Sequence, residues 1–242
     1  FLTNKIISPI PSKFTKKLTE ADKFRKFCES KIKDPIVGFK AGGTGIPLMK
    51  KLKEKEPFIA SVFKKNLIKS GKKVKTNKST LGIELEVCYL IKKTFFSSKV
   101  KITKNNLTKY ISHMAPCIEV VGYRQKRKGI TSFGDLSSDF GGNIKFLIGQ
   151  KKKFKKINIG NLKTNISNKK AKQSVDGNTG AVYINPINSL RFVLNKVKKD
   201  KTILDKDFYV FTGSTVGVVP IIKKGMYSAK IEKLGSVKAN II

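Results

Sequence analysis

Apolar residues recur at two spacings along this chain, and the switches between them lay out its elements. Residues 186–199 carry Leu190, Val193, Leu194 and Val197 on one stripe of a 3.6-residue period, which predicts an amphipathic helix. Residues 18–31 place Ala21, Phe24, Phe27 and Cys28 near the same spacing, and Thr19, three residues before Asp22, offers an N-cap. Short helices are expected over 48–55 and 106–113. Strand patterns occupy 35–40 (closed by the Gly-rich 41–45), the segments around Glu84 and Glu119, and part of 130–149 beside a Gly-rich bend. Hairpin strands with Lys-rich loops are expected within 151–172. The C-terminal part alternates, with strands at 208–212, 216–222, 226–233 and 236–242 joined by glycine turns. Residues 72–78 read as a polar connector. No internal repeat is visible. Strands outnumber helices, and the helices precede or interrupt them rather than alternate with them. This predicts a mixed α+β fold with a large β core. Residues 1–36 are expected to form an N-terminal extension with a helix, and 37–242 one domain.

Length and composition narrow the classes. A chain of 242 residues can bury a substantial core. No apolar run approaches the ~20 residues of a membrane span. The N-terminal residues lack a signal-peptide core, so the cytoplasm is the default expectation. The chain opens on Phe1 rather than Met, as a trimmed sequence would. Cys28, Cys88 and Cys117 form no CxxC pair and are expected to be small buried hydrophobes, not a disulfide framework or a zinc knuckle.

The formal net charge is +36. It invites a nucleic-acid reading, because clustered cations release counterions from phosphate. Yet only Arg25, Arg124, Arg127 and Arg191 are arginines, and bidentate recognition of phosphate and guanine favours Arg. Lysines are spread through most of the chain, beside many Ile, Asn and Phe, the bias of an AT-rich genome. A biased, solvated surface is therefore favoured over a nucleic-acid surface, and the dense run 151–156 is expected in a solvated loop or hairpin tip.

Where lysine is missing is more telling. Windows 79–91, 110–125, 129–144, 173–195 and 207–222 contain none. They are candidates for interior strands, helix faces and a site. The first reads S-T-L-G-I-E-L-E-V-C-Y-L-I, β-rich and apolar apart from Glu84 and Glu86. Residues i and i+2 of a strand share a face, so both carboxylates emerge side by side from an apolar segment. There they would repel each other and lose solvation unless a cation joined them. Hard Mg²⁺ or Mn²⁺ suits oxygen ligands. The second window carries Glu119 in M-A-P-C-I-E-V-V-G-Y-R, which would complete an all-oxygen set of Glu84, Glu86 and Glu119. The plain alternative is an edge strand with solvent-facing glutamates.

Taken together, these segments resemble the 2-oxopent-4-enoate hydratase / 4-oxalocrotonate decarboxylase group of the fumarylacetoacetate hydrolase superfamily. The resemblance runs from about Thr19 to the end. It is carried by V-G-F-K at 37–40, I-E-L-E-V at 83–87, A-P-C-I-E-V-V-G-Y-R at 115–124, F-G-D-L-S-S-D at 133–139, F-L-I-G at 146–149, N-P-I-N-S-L at 185–190, F-T-G-S at 211–214 and L-G-S-V at 234–237. It implies a β-roll-like core of the superfamily's C-terminal-domain type with peripheral helices, and makes 37–242 the catalytic domain. It implies Mg²⁺ or Mn²⁺ on Glu84, Glu86 and Glu119, Lys40 in the site, and substrate contact from Thr212, Gly213 and Ser214.

The activity so implied is hydration of a 2-hydroxydienoate or 2-oxo acid such as 2-oxopent-4-enoate, through a metal-stabilised enolate, with 4-oxalocrotonate-type decarboxylation as the alternative. Lys40 would shuttle a proton or fix the substrate carboxylate, its charge disfavoured beside a dication. Arg124 would pair with a substrate carboxylate or stand in a structural ion pair. Asp135 and Asp139 would orient water or ligands, or cap turns. The hydrolase branch uses a His-assisted water, which the lone His113, expected in a helix-to-strand turn, does not match. Family members often form homo-oligomers. Three departures stand out: E-P-F-I-A at 56–60 has Phe58 in place of the usual Asp, S-D-F has Phe140 in place of Asn, and A-G-G-T-G follows Lys40. The first two losses fall among residues expected to act on substrate or water, so a changed substrate or a non-catalytic relative is a further alternative.

Overall fold

The computed structural model describes residues 5–126 and 129–242. Its strands are β1 (Ile36–Gly42), β2 (Phe58–Phe63), β3 (Leu67–Lys69), β4 (Lys73–Val74), β5 (Thr80–Ile91), β6 (Ile111–Gly122), β7 (Asn143–Ile148), β8 (Lys152–Lys153), β9 (Lys163–Asn168), β10 (Gln173–Asn178), β11 (Phe208–Ser214), β12 (Val219–Pro220), β13 (Gly225–Ile231) and β14 (Gly235–Ile241). Its α-helices are α1 (Leu18–Ser30), α2 (Ile46–Lys51), α3 (Phe133–Ser138) and α4 (Pro186–Lys199). A nine-stranded sheet runs β2-β1-β11-β5-β6-β7-β3, with β12 and β8 pairing to β5 and β6. A five-stranded sheet runs β10-β9-β13-β14-β4. The architecture is the expected α+β one, with strands in the majority.

The pleat of β5 and β6 explains how core and site share one sheet. Ile83, Leu85, Val87, Tyr89 and Ile91 alternate on one face of β5 and are fully buried. Ile118 and Val120 continue that face on β6. They share a single apolar core with Ile166, Tyr227, Ala229, Ile231 and Val237 of the second sheet and with Leu190, Val193, Leu194 and Val197 of α4. Each such side chain taken out of water contributes roughly 1.5–3 kcal/mol. The opposite face of β5 and β6 carries Glu84, Glu86, Cys88, Cys117 and Glu119, and a smaller apolar cluster of Val62, Cys88, Cys117, Phe146 and Phe211 floors it.

Several expectations are corrected. In α1 the buried residues are Ala21 and Arg25, while Phe27 is 62% exposed. Arg25 turns inward because Asp22, Glu29 and Ser137 surround its guanidinium. Lys17, not Thr19, occupies the N-cap, without a side-chain bond. The helix expected over 106–113 is one 3₁₀ turn, Leu107–Tyr110, and His113 lies within β6 opposite Leu90 rather than in a turn. Residues 216–222 keep only β12, because Gly217 at φ +74° breaks the extended run. The hairpin expected within 151–172 is β9–β10, shifted toward the C-terminus, and part of the connector 72–78 is β4, a parallel partner of β14.

Residues before β1 are stitched to the rest. Arg25 Nε donates to Ser137 Oγ, which donates to Asp22, and Ile7 bridges to Gln125. The run 151–156 is solvated, its lysines all exposed. Among the described residues no helix is long and apolar enough to cross a membrane.

Candidate metal centre and active-site cavity

Strand register brings the three glutamates together. Glu84 pairs directly with Glu119, and Glu86 with Cys117, across the antiparallel β5–β6 ladder. Directly opposed residues point to the same face, so Glu119 joins the i, i+2 pair. One carboxylate oxygen from each of Glu84, Glu86 and Glu119 lies within 4.8 Å of the others. Glu86 and Glu119 are fully buried, and Glu84 is half-buried.

Lys40 reaches the same place from β1. Its Nζ donates to Glu119 Oε1 at 2.7 Å and to the Gly141 carbonyl at 2.8 Å. It is the only buried lysine among the described residues. Burial opposes its charge, but the carboxylates of Glu119, Glu84 and Glu86 outweigh burial and hold its pKa above the ordinary lysine value. In the metal-free cluster the three carboxylates thus favour the ammonium form of Lys40.

The glutamates are crowded beyond what one ammonium neutralises. Burial first, and Glu119 second, push Glu84 up to about 7 against the opposing pull of Lys40. Burial, then Glu119 and Glu84, push Glu86 well above the carboxylate range. Glu86 Oε2 accepts from the Gly213 amide at 2.8 Å, but its Oε1 is buried with no hydrogen-bond partner, as is Glu119 Oε2. A buried polar atom left unpaired costs about 1–3 kcal/mol. Ionised together, the three carboxylates would carry two negative charges more than the one ammonium, which is why Glu84 and Glu86 hold on to protons and what a dication would cancel. Oxygen donors, orphaned lone pairs and more carboxyl groups than one ammonium can balance together fit a hard divalent cation. Cys88 and Cys117 beneath are buried, and burial raises both thiols well above their ordinary value, so they stay neutral.

A cavity of about 400 Å³ opens over this cluster, with Lys40 and Glu84 in its wall. The Gly42–Gly45 loop, the 141–142 turn and Gly213–Ser214 line it as well. Gly213, at φ +103°, is a place only glycine suits, since a Cβ there would stand 2.0 Å from Thr44 Oγ1. Phe58 also lines the cavity, packing edge-on against Phe133 at 5.5 Å. Phe140 is buried and is not part of the cavity wall; it opens a turn where Phe140, Gly141 and Gly142 all have positive φ.

The other candidates are placed differently. Thr212 is buried, its hydroxyl donating to the Val87 carbonyl, and is not part of the cavity wall. Ser214 lines the cavity while donating to the Gly217 carbonyl. Arg124 is fully buried. Its Nε and backbone amide bind Asp139, and its terminal nitrogens donate to the Asn143 and Asp139 carbonyls. This is the structural ion pair that stood beside substrate contact as a reading of Arg124. Asp135 accepts from the Thr131 amide and hydroxyl, an anchor at the start of α3. Sequence reasoning missed the Gly141 carbonyl as partner of Lys40. It also missed the apolar wall of Leu48, Leu81, Ile130, Leu136 and Val218.

No protein-family model matches the sequence, and no curated protein sequence matches it. Solved structures do. The chain is similar to 4-oxalocrotonate decarboxylase from Pseudomonas putida G7, complexed with magnesium and adipate, at TM-score 0.83 and 19% identity, covering 100% of this chain and 92% of that one. It is similar to 2-hydroxyhepta-2,4-diene-1,7-dioate isomerase from Mycobacterium marinum at TM-score 0.59 and 14% identity, covering 86% and 76%. A third likeness is to 5-carboxymethyl-2-hydroxymuconate delta-isomerase from Mycobacterium smegmatis, at TM-score 0.58 and 13% identity, covering 86% and 80%. At these identities the likeness shows the fold, which is the fumarylacetoacetate hydrolase fold in the form shared with 4-oxalocrotonate decarboxylase.

Proposed function

We propose that this chain is a divalent-metal-dependent lyase acting on a 2-oxo or 2-hydroxydienoate acid, with hydration as the reaction. The observation that carries this reading is the buried Glu84–Glu86–Glu119 cluster, with two orphaned oxygens and more carboxyl groups than one ammonium can balance, beneath a cavity wide enough for a small acid. Glu84, Glu86 and Glu119 would hold the ion, and Mg²⁺ is favoured by the all-oxygen donor set and by the magnesium of the decarboxylase neighbour. Mn²⁺ shares that coordination chemistry. A bound dication supplies Lewis acidity to the oxygens of a 2-oxo acid.

The chain's own residues divide the remaining work. Lys40 keeps a proton at Nζ beside the cavity, fixed by Glu119 and the Gly141 carbonyl, with a third donor position for substrate. The Gly213 amide holds Glu86 in place, and Gly213 with Ser214 shapes the wall where substrate lies. Asp139 acts as a positioning residue, since Arg124 occupies both its carboxylate oxygens. The apolar wall limits water around the reacting atoms. Phe58 puts an aromatic ring in the cavity wall where the resembled group has Asp, and Phe140 replaces its Asn, so neither polar group is available to act on substrate or water. Decarboxylation is the second reading, favoured by the decarboxylase neighbour and its adipate, a dicarboxylate.

The test is turnover of 2-hydroxypenta-2,4-dienoate, followed by loss of its ultraviolet absorbance. Activity is expected with Mg²⁺ and is expected to vanish with chelator and return with metal. A chain that binds metal yet turns over neither this substrate nor 4-oxalocrotonate contradicts the enzymatic reading.

A further inference from the structure

A second cavity, of about 390 Å³, opens against α4 and shares no lining residue with the metal cavity. Its helix side is Arg191, Phe192, Asn195, Lys196 and Lys199. These recur three or four residues apart and occupy the face of α4 turned away from the Leu190–Val193–Leu194–Val197 stripe. Four cations line it, Lys101, Arg191, Lys196 and Lys199, against one carboxylate, Glu56, so three positive charges remain. Lys196 answers Glu56 at 3.2 Å. Among the described residues, Lys101, Arg191 and Lys199 have no carboxylate partner, whereas Arg25 and Arg124 are committed to buried ion pairs.

The cations and rings are held in place. Asn188 Oδ1 accepts from Arg191 Nη2 at 2.9 Å. Asn195 Oδ1 accepts from the Ile102 amide at 3.1 Å and its Nδ2 donates to the Ile102 carbonyl at 3.0 Å, which fastens the backbone beside Lys101 to α4. Tyr183 and Phe192 meet edge to face with centroids 5.7 Å apart. Tyr183 has φ +36° and Ile184 φ +76°, a left-handed turn that costs residues other than glycine on the order of 1–2 kcal/mol each. The fold holds that turn at both peptide groups of Tyr183: its amide donates to the Thr44 carbonyl at 3.0 Å, and its carbonyl accepts from Asn188 Nδ2 at 3.1 Å. Asn188 thus orients the guanidinium and one ring together.

We propose that this cavity binds a nucleoside diphosphate, with its phosphates on Arg191, Lys101 and Lys199 and its base against Tyr183 and Phe192. A guanidinium and ammonium groups are the side chains that meet phosphate oxygens, and aromatic faces hold a base by stacking. Inorganic phosphate would leave the rings unused, and an uncharged ring would leave the three cations unanswered. The volume falls within the ~300–1,000 Å³ of small-molecule sites. The site does not depend on the metal reading, because none of its residues touches the glutamate cluster.

The experiment is calorimetric titration of the full chain, in chelator and about 0.15 M salt so that neither a metal nor diffuse surface charge carries the binding. Three probes are compared: adenosine diphosphate, inorganic pyrophosphate and adenosine. The diphosphate is expected to bind once per chain, at least about tenfold tighter than either fragment. Lys101→Ala/Lys199→Ala removes two exposed cations of the cavity and is expected to weaken the diphosphate about tenfold or more. Lys155→Ala/Lys156→Ala removes the same charge from an exposed run elsewhere and is expected to leave binding unchanged. Pyrophosphate binding as tightly as the diphosphate overturns the role of the rings. Equal weakening in the two variants, weakening in neither, or no binding of the diphosphate overturns the site, and none of these results bears on the metal centre.

Discussion

Lys40 Nζ lies 2.7 Å from Glu119 Oε1 and 2.8 Å from the Gly141 carbonyl, the one cation among three crowded carboxyl groups. Replacing it with Met keeps the length of the side chain and removes the one cation. The expected loss in the absence of metal is about 3–5 kcal/mol, the usual cost of leaving a buried charge without its partner. Mg²⁺ should restore much of that loss, because the dication answers the same carboxylates. Turnover should be abolished while metal binding persists. Thermal melts with and without Mg²⁺, beside activity, check this. The role of Lys40 was readable from V-G-F-K only through resemblance. Its burial, among so many exposed lysines, and its hold on Gly141 needed the fold, since residues 40 and 141 are joined by no local pattern.

Elements with a strong local signature were legible. Helix α4 has the bounds expected because Asn185 caps it through the Asn188 amide, Pro186 opens it, and the apolar stripe is complete. The E-x-E face of β5 followed from strand period alone. Helix α3 was missed, being six residues, F-G-D-L-S-S, with glycine at its second position and no stripe. Strand β2 was missed because every residue from Phe58 to Phe63 is buried, which erases the alternation that marks a half-exposed strand. The pairing of β5 with β6 that sets Glu119 opposite Glu84 is a long-range register no window of sequence contains. One element-scale prediction concerns the link from the end of β6 to the turn after α3. Arg124 binds the carboxylate and carbonyl of Asp139, and the Gly142 amide donates to that same carbonyl, so the pair fixes the turn that offers Gly141 to Lys40. Asp139→Ala should cost about 3–5 kcal/mol in urea unfolding, by leaving a buried guanidinium short of its carboxylate.

The whole molecule carries a net charge of +36, with its lysines outward except at Lys40 among the described residues. Such a surface repels dications in general. Any tight uptake of Mg²⁺ or Mn²⁺ therefore reports a built site, not a diffuse atmosphere. The same site sets a pH dependence. Glu84 is raised from 4.5 to about 7 in the folded chain, so between those values the folded state holds more protons than the unfolded one, and stability falls as pH rises. The cost is absent below pH ~4.5, grows to on the order of 3 kcal/mol near pH 7 and then levels off. Glu86 shifts the same way and extends the fall upward. Metal-free protein should melt at a lower temperature at pH 7.5 than at pH 5.5, and saturating Mg²⁺ should raise the melting temperature more at pH 7.5. Scanning calorimetry at both pH values reads this out.

The most direct measurement is titration of the metal-free chain with Mn²⁺ at pH 7.5, comparing the unaltered protein with Glu86→Gln, which keeps the shape of the side chain and removes its charge. One Mn²⁺ per chain is expected at micromolar concentration, with affinity weakened about a hundredfold or more in Glu86→Gln. No uptake by the unaltered chain at millimolar Mn²⁺, or equal uptake by both proteins, would contradict the metal centre and the function built on it.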